Sequence, residues 1–407
     1  MDHRLNRDGR VNGGAGAACA AAVAAVVASG CLASQPRSTQ PTSRTDPDVA
    51  WVCSQHDLLT DLRGRMTFED VQRTLCHIGE LAGRPLDVAA LAAGARAEVQ
   101  RRCDARMTAA DAGVGRPPVT IRQLYEVLRG IAGVQLQAPG CSEAAMIAGM
   151  VRVLGDEYGF RRVGESPAAA DDDGDEGDDD GMDQAPSPSL INRSIVYVKF
   201  AQSLAGGRQI VEAALAATRA DHAVTGLILD LRGADGASVA EMDSFLDLFV
   251  DDGVVMEMRS RRTGEISRVF ATRRPVAEAA PLILLVDDKT HSGAEAFAGG
   301  LRARGRALLM GRRTAGHAIV HTTFELPSRS LLNIPVSDLL EPGGGAISGH
   351  GVTPDIEVGA ARGPDLAGDA DEVVRLAAQV LLAARSPVRA DLLGAAQRIL
   401  ALRGAPR

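Results

Sequence analysis

Lysine is almost absent from this chain of 407 residues, in which only Lys199 and Lys289 are lysines among 44 basic side chains. A reaction that depends on a buried lysine therefore has two candidates at most. Acids outnumber bases, and the formal net charge is −8. Residues 171–183 carry nine acids and no base, so the rest of the chain is close to neutral. This distribution does not indicate a surface that binds nucleic acid, and no nucleic-acid partner is expected.

The N-terminal region lacks an apolar run long enough to cross a membrane. Residues 15–28 are small and apolar, but a bilayer span takes roughly 20 residues. Three arginines precede this run, which is typical of a secretory signal peptide. The run ends in Ala-Ser-Gly-Cys, which resembles a bacterial lipobox and predicts that Cys31 is lipidated. An ordinary signal peptide cleaved nearby is the alternative.

Export to the bacterial cell envelope follows from either reading of this N-terminus. The lipobox adds an anchor, so the predicted product is an exported lipoprotein that contacts the inner or outer membrane through its lipid. Residues 1–31 would be the signal peptide with its lipobox. Residues 32–50, which are rich in Ser, Thr, Pro and Gln, would be a tether between anchor and fold.

No Cys-x-x-Cys pair occurs in the chain, which argues against the common zinc sites. Four histidines lie between residues 291 and 350, but no helix carries a His-x-x-x-His pair with a glutamate. Neither a metal nor another cofactor is expected. An even number of cysteines after the lipobox of an exported chain predicts two disulfides, with three possible pairings. These cysteines are Cys53, Cys76, Cys103 and Cys141.

The remainder of the chain divides into four segments by composition. Residues 51–164 carry apolar side chains at helical spacing and predict an N-terminal helical domain. Residues 165–190 cannot bury an apolar face and predict a disordered acidic linker. Calcium binding by this run is less favoured, because the spacing and terminal glutamate of an EF-hand are absent. Residues 191–360 alternate apolar strands with helical stretches, and residues 361–407 form an Ala- and Leu-rich helical tail.

Residues 281–321 combine the features of a nucleophilic active site. An apolar run at residues 281–286 predicts a buried strand, and Ser292 follows a polar turn at the start of an Ala- and Gly-rich helix. A hydroxyl there lies beside unpaired backbone N–H groups, which can hold a developing oxyanion. A serine also needs a neighbouring base to attack. Taken alone, Ser292 is better explained as a helix cap.

The motifs around Ser292 resemble those of the C-terminal-processing (tail-specific) serine peptidases. In that family the nucleophile lies in an S-A-S-A-S-E-like turn, which residues 290–295 (THSGAE) match. A lysine base follows about 25 residues later in G-x-x-T-x-G-K-G, and residues 311–318 (GRRTAGHA) match with His317 at the lysine position. Two further motifs, D-L-R-x-N-x-G-G and G-x-G-I-x-P-D-I, are similar to residues 230–237 (DLRGADGA) and 349–356 (GHGVTPDI).

The resemblance covers about residues 191–358, and residues 144–160 are similar to the helix that precedes this core. It implies an α/β protein with a crotonase-like (ββα) peptidase core after the helical domain, and Ser292 as nucleophile. The backbone N–H groups of Gly236 and Gly293 would form the oxyanion hole. Substrates would be proteins or peptides. Most members carry a PDZ domain before the core, where this sequence has its acidic linker.

His317 can take the role of the family's lysine by different means. Free histidine titrates near pH 6.5, so it accepts a proton without the desolvation that a lysine base requires. A base histidine also needs an acceptor on its other ring nitrogen. His321 is four residues on and is expected on the same face of a strand, so it is favoured as the orienting residue. Glu295 is the second choice.

Three functions remain open on these residues. An exported serine endopeptidase is preferred, because a nucleophile and a competent base are both present. A catalytically inactive relative that binds peptides is favoured by the change at His317 and by Ala234 and Ala237 in the oxyanion turn. A structural envelope lipoprotein that reuses the fold is the third. We expect residues 194–200, 226–231, 281–286 and 307–310 to form strands of one sheet.

Overall fold

The structure is a computed structural model. It describes residues 46–55, 67–82, 85–103, 117–132, 141–162, 186, 188–200, 202–272, 277, 280–358 and 371–404. The predicted signal peptide, Cys31, most of the tether and most of the acidic linker lie outside the described residues.

The described residues form ten helices and twelve strands. The helices are α1 (Pro47–Ser54), α2 (Phe68–Leu81), α3 (Val88–Arg102), α4 (Ile121–Ala132), α5 (Cys141–Leu154), α6 (Gly207–Asp221), α7 (Val239–Leu246), α8 (Gly293–Ala303), α9 (Glu372–Ala383) and α10 (Arg389–Gly404). The strands are β1 (Gly159–Arg161), β2 (Pro188–Ile191), β3 (Ile195–Lys199), β4 (Gly226–Asp230), β5 (Val254–Ser260), β6 (Ile266–Phe270), β7 (Leu282–Val286), β8 (Leu308–Gly311), β9 (Ile319–Glu325), β10 (Leu331–Glu341), β11 (Gly345–Ala346) and β12 (Ile356–Glu357).

The N-terminal helical domain is built from α1 to α5. Each helix turns an apolar stripe inward, as α4 does with Leu124, Leu128 and Ile131, all fully buried. Helices α3 and α5 pack at backbone contact, since a Cβ on Gly149 would lie 2.2 Å from the carbonyl oxygen of Gly94. Two disulfides fasten the domain, which agrees with the predicted number and gives their pairing, Cys53–Cys76 and Cys103–Cys141.

A six-stranded sheet in the order β12-β8-β7-β4-β3-β2 forms the centre of the second domain. All neighbours are parallel except the edge strand β2. Strand β7 is buried on both faces, because Leu282 and Leu284 pack toward α6, α7 and α8 whereas Ile283 and Leu285 pack toward α9 and α10. The predicted sheet of four strands is therefore confirmed.

A second, antiparallel sheet contacts both the helical region and the parallel-sheet region through its long central strand β10. Strand β10 pairs with β1, β5, β9 and β11, and β6 pairs with β5. Leu332 and Ile334 belong to the core of the helical domain, whereas Leu339 belongs to the core beside the parallel sheet. The segment that follows β8 contains His317 and leads directly into β9.

Two details differ from the sequence predictions. The helix expected over residues 144–160 ends at Leu154, because Gly155 takes φ +108°, and the chain then pairs with β10 as β1. The helical tail is two helices, α9 and α10. The α/β class is confirmed, and α1 to α5 form a helical region before the core. Across the described ranges, no helix has the length and apolar character needed to cross a membrane.

Candidate active site

Ser292 occupies a strained position between strand β7 and helix α8. Its φ is 56° and its ψ is −130°, a region that residues other than glycine rarely adopt. Such a conformation costs on the order of 1–3 kcal/mol and persists only when its surroundings hold it. The side chain is half-buried and precedes the first turn of α8. Strained residues of this kind cluster at active sites, although strain by itself does not assign a function.

Three hydrogen bonds to backbone carbonyls hold the Ser292 turn to two other turns. The buried Thr290 hydroxyl donates to the Leu231 carbonyl at 2.8 Å. The N–H of His291 donates to the Ala234 carbonyl at 3.1 Å. The N–H of Ser292 itself donates to the carbonyl of His317, also at 3.1 Å. The turn after β4, the turn after β7 and the turn after β8 therefore meet at Ser292.

The two glycines predicted for the oxyanion hole are in backbone contact. A Cβ on Gly236 would lie 2.4 Å from the Gly293 Cα, and one on Gly293 would lie 2.2 Å from the Met242 sulfur. A side chain on Gly236 would push the turns apart, whereas one on Gly293 would first displace the side chain of Met242 on α7. Ala234 and Ala237, which stand where the family motif has Asn and Gly, are not among the residues with positive φ, so alanine fits there without strain.

The N–H groups of these glycines differ in their partners. Among the described residues, the N–H of Gly293 has no acceptor, as expected at the first position of a helix. The N–H of Gly236 donates to the Asp235 carboxylate, with 2.5 Å between the nitrogen and Oδ1. One donor is therefore open, and the other is covered by an acidic side chain.

Glu295 holds the turn that carries His317. Its carboxylate is fully buried and accepts from the Thr314 hydroxyl, from the Gly316 N–H at 2.7 Å and from the His317 N–H at 2.8 Å. Burial raises the pKa of Glu295, although these three hydrogen bonds oppose the rise. The hydrogen bond with His317 is to its backbone N–H, and the ring acts on the carboxylate only through its charge, which also opposes the rise in the pKa of Glu295. The structure therefore supports a positioning role for Glu295 rather than that of a ring acceptor.

The closing motif after β11 supports the same turn from the other side. The Val352 N–H donates to the Thr314 hydroxyl at 2.7 Å. The Gly349 N–H donates to the Gly316 carbonyl at 2.7 Å. Gly351 has φ +68°, and a Cβ there would lie 2.3 Å from the Thr314 carbonyl oxygen. These contacts explain why the Gly-rich phrase near residue 350 accompanies the base motif in the sequence.

The predicted pairing of His317 with His321 is not what the structure shows. Strand β9 begins at Ile319, so His317 lies before the strand and the two residues do not share a strand face. The Nε2 atom of His321 lies 2.8 Å from the carbonyl oxygen of Glu157. The His317 side chain is exposed, and its ring has no hydrogen-bond partner in the part of the chain that is described. The expectation that His317 and His321 share a face of one strand is therefore wrong, because β9 begins only where it pairs with β10.

Two residues of the site were missed by sequence reasoning. The Asp287 carboxylate accepts the N–H groups of Gly233 and Lys289 at 3.0 and 3.1 Å and so shapes the turn after β7. Asp235 caps Gly236 and lies 3.8 Å from Nε2 of His291. Asp287 directly follows a buried strand, and this position in the sequence could have predicted its role in the turn. Asp235 could have been noticed as a carboxylate next to the expected oxyanion donor.

This arrangement joins a strained serine, a histidine-bearing turn and an open backbone donor at the ends of parallel strands. Residues 194–358 match the family described as Peptidase family S41. These residues form an S41 peptidase domain. It contains Ser292, His317, Glu295, Gly236 and Gly293, and it excludes the N-terminal helical domain and the last two helices.

Curated relatives share this domain over part of their length. The chain is 30% identical over 133 residues to a carboxy-terminal-processing protease of Bartonella bacilliformis, covering 33% of this chain and 31% of that protein. It is 29% identical over 133 residues to a CtpA-like serine protease of Staphylococcus aureus, covering 32% of this chain and 27% of that protein. The match thus spans less than a third of the length of these relatives.

Solved structures resemble the chain less closely. A photosystem II D1 C-terminal processing protease is 26% identical with a TM-score of 0.36, covering 40% of this chain and 42% of that chain. A lipoprotein from Streptococcus agalactiae is 14% identical with a TM-score of 0.43, covering 68% of this chain and 93% of that chain. The family assignment rests on the sequence matches.

Proposed function

We propose that this chain is a serine endopeptidase of the C-terminal-processing type, with Ser292 as nucleophile and His317 as general base. The observation that carries the proposal is the backbone link between these two residues, at a serine held with φ 56° before a helix. The S41 domain and the names of the curated relatives support the same reaction class. The substrates are proteins or peptides.

The reaction follows from these roles. The Ser292 Oγ bonds to the carbonyl carbon of the scissile peptide while its proton passes to a ring nitrogen of His317. The carbonyl oxygen becomes an oxyanion. When the C–N bond breaks, His317 returns the proton to the leaving amine. A water molecule then adds to the acyl-serine ester and loses a proton to His317. The ester C–O bond breaks, the acid leaves, and His317 returns this proton to the Ser292 Oγ.

The oxyanion would be held by the N–H of Gly293, with that of Gly236 as second donor. Gly293 begins α8, so the partial positive charge of the helix N-terminus adds to its donor. Removing one such donor from a serine peptidase costs on the order of a hundredfold to a thousandfold in kcat. Glu295 keeps the base turn in place through its contacts with Gly316 and His317.

The place of action would be the bacterial cell envelope, with the chain exported and anchored through a lipid on Cys31. The signal-peptide pattern and the lipobox-like sequence support this assignment. The two disulfides add to it, since such bonds persist in oxidising compartments. Metabolic labelling with a lipid analogue would test the anchor, and Cys31→Ser should abolish the label.

A serine-reactive fluorophosphonate probe tests the chemistry. We expect it to label the wild type on the peptide that contains Ser292 and to leave Ser292→Ala unlabelled. Ser267→Ala, an exposed serine on β6, is the matched control and should label like the wild type. A folded wild type that binds peptides but takes no label would instead identify an inactive peptide-binding relative.

A further inference from the structure

A carboxylate lies on one of the two backbone donors next to the nucleophile. Asp235 Oδ1 is 2.5 Å from the nitrogen of Gly236, and Gly236 is in backbone contact with Gly293, the residue after Ser292. An oxyanion formed at Ser292 needs the same N–H. The carboxylate and the oxyanion carry the same sign of charge, so Asp235 opposes the reaction both by occupying the donor and by repulsion.

The movable part of this contact is the Asp235 side chain. The backbone around it is fixed, because the Asp235 N–H donates to the Gln202 carbonyl at 2.8 Å. The Gly236 carbonyl accepts from the Ser203 hydroxyl at 3.0 Å. The Asp235 side chain itself is 52% exposed. A group that binds this carboxylate can therefore draw it away without disturbing the turn.

His291 is a titratable side chain that lies beside this carboxylate. Its Nδ1 lies 2.8 Å from the carbonyl oxygen of Lys289, which can only accept, so Nδ1 carries the proton of the neutral ring. Nε2 faces Asp235 Oδ2 at 3.8 Å and has no proton to donate in that form. A neutral His291 therefore leaves the Asp235 carboxylate open to a cation from outside the protein.

We propose that Asp235 is a specificity-determining residue that selects substrates with a cationic side chain, arginine or lysine, on the residue that carries the reacting carbonyl. The cation pairs with Asp235, removes it from the Gly236 N–H and neutralises its charge beside the oxyanion. A neutral substrate leaves the donor covered and reacts on the Gly293 N–H alone. This inference rests on the proposed peptidase function.

The proposal is tested with two peptidyl diphenyl phosphonates, which label a nucleophilic serine. One carries arginine next to phosphorus and the other carries citrulline. Citrulline has nearly the shape of arginine without its charge. We expect the arginine probe to label the wild type at least about tenfold faster than the citrulline probe. This ratio exceeds the roughly fivefold effect of an exposed ion pair and is smaller than the roughly hundredfold effect of a full oxyanion donor. Asp235→Asn should bring the ratio to about one, and the control Asp288→Asn, an exposed acid paired with Arg312, should keep it.

A binding measurement separates this inference from the proposed chemistry. Fluorescence polarisation with Ser292→Ala compares peptides that end in arginine or citrulline, with and without Asp235→Asn. If no probe labels the wild type but arginine binds more tightly and Asp235→Asn removes the difference, the peptidase proposal fails and the recognition site stands. An arginine preference that survives Asp235→Asn, or no preference in either measurement, overturns the inference.

Discussion

The backbone N–H of Ser292 donates to the carbonyl oxygen of His317 over 3.1 Å. This bond links two turns that follow neighbouring parallel strands, β7 and β8, and it involves no side-chain atom. Side-chain substitutions at either residue therefore leave the link between the turns intact. Loss of activity in such variants reports the chemistry of the hydroxyl and the imidazole rather than a collapse of the site.

Gly236→Ala should disrupt the site by forcing the turns after β4 and β7 apart. The added Cβ would lie 2.4 Å from the Gly293 Cα and 2.5 Å from the Gly293 nitrogen, and these backbone atoms cannot move without moving the turn. We expect kcat to fall about a hundredfold or more, the usual effect of losing an oxyanion donor. Gly130→Ala, in an open position of α4, is the control and should leave kcat unchanged. Near-normal activity of Gly236→Ala would exclude Gly236 from the oxyanion hole.

Glu295→Gln should loosen the turn that carries His317. The amide NH₂ of the glutamine would face N–H or O–H donors, so at least one buried hydrogen bond is lost at a cost of about 1–3 kcal/mol. We expect a lower melting temperature, faster amide exchange at Gly316 and His317, and a kcat reduced by roughly a hundredfold through misplacement of the base. The exposed Glu325→Gln on β9 serves as control. Unchanged exchange at both amides would contradict the positioning role.

Asp355 should stabilise the fold in a pH-dependent way. Its buried carboxylate accepts from Arg302, from Arg389 and from the Leu309 N–H, each at 3.0 Å, and so ties α10 to the parallel sheet. Burial alone would raise the pKa of Asp355, but the hydrogen bonds from Arg389, Leu309 and Arg302 outweigh it and hold the pKa below its usual value. The stabilisation is therefore complete above about pH 4 and is lost as the pH falls through the folded-state pKa.

Asp355→Asn tests this dependence. At pH 7 we expect it to lower the free energy of unfolding by about 3 kcal/mol, as for other buried ion pairs that lose one partner. The difference from the wild type should shrink as the pH is lowered below about 4. Asp252→Asn, which breaks the exposed pair with Arg304, should cost at most about 1 kcal/mol. A deficit that stayed constant from pH 7 to pH 3 would show that the charge of Asp355 is not responsible.

The disulfides should matter to the helical domain more than to the parallel sheet. Their sequence separations of 23 and 38 residues correspond to about 3 to 4 kcal/mol each in the chain-entropy account. Reduction should speed amide exchange in α1 to α5 while strands β3, β4 and β7 stay protected. Four free thiols in protein isolated from the cell envelope would contradict the predicted oxidising location.

Local pattern was enough to predict the strands and helices around Ser292. Residues 282 to 286 are buried on both faces, and this gives the continuous apolar run that the sequence displays. The position of Ser292 follows from the motif that joins this strand to α8. Gly293 and Gly236 were also recognised by motif. Their backbone contact explains why Gly236 cannot carry a side chain, and the Met242 side chain occupies the space that a Cβ on Gly293 would need.

The parts that sequence reasoning missed depend on distant partners. His321 was expected to face His317, but the start of β9 is decided by pairing with β10, which no local spacing reveals. The short strand β1 likewise depends on pairing with Asn333 and its neighbours, which lie about 170 residues later in the sequence. The contact of Asp235 with Gly236 depends on a single side-chain rotamer, which motif matching does not address.

The most direct test of the account is kcat/KM for peptide hydrolysis by the wild type, Ser292→Ala, His317→Ala and the double variant. If the two side chains act as one unit, each single variant should lose nearly all activity, and the double variant should be hardly worse than either. Ordinary activity in His317→Ala, or losses that multiply in the double variant, would contradict the assignment of His317 as the base for Ser292.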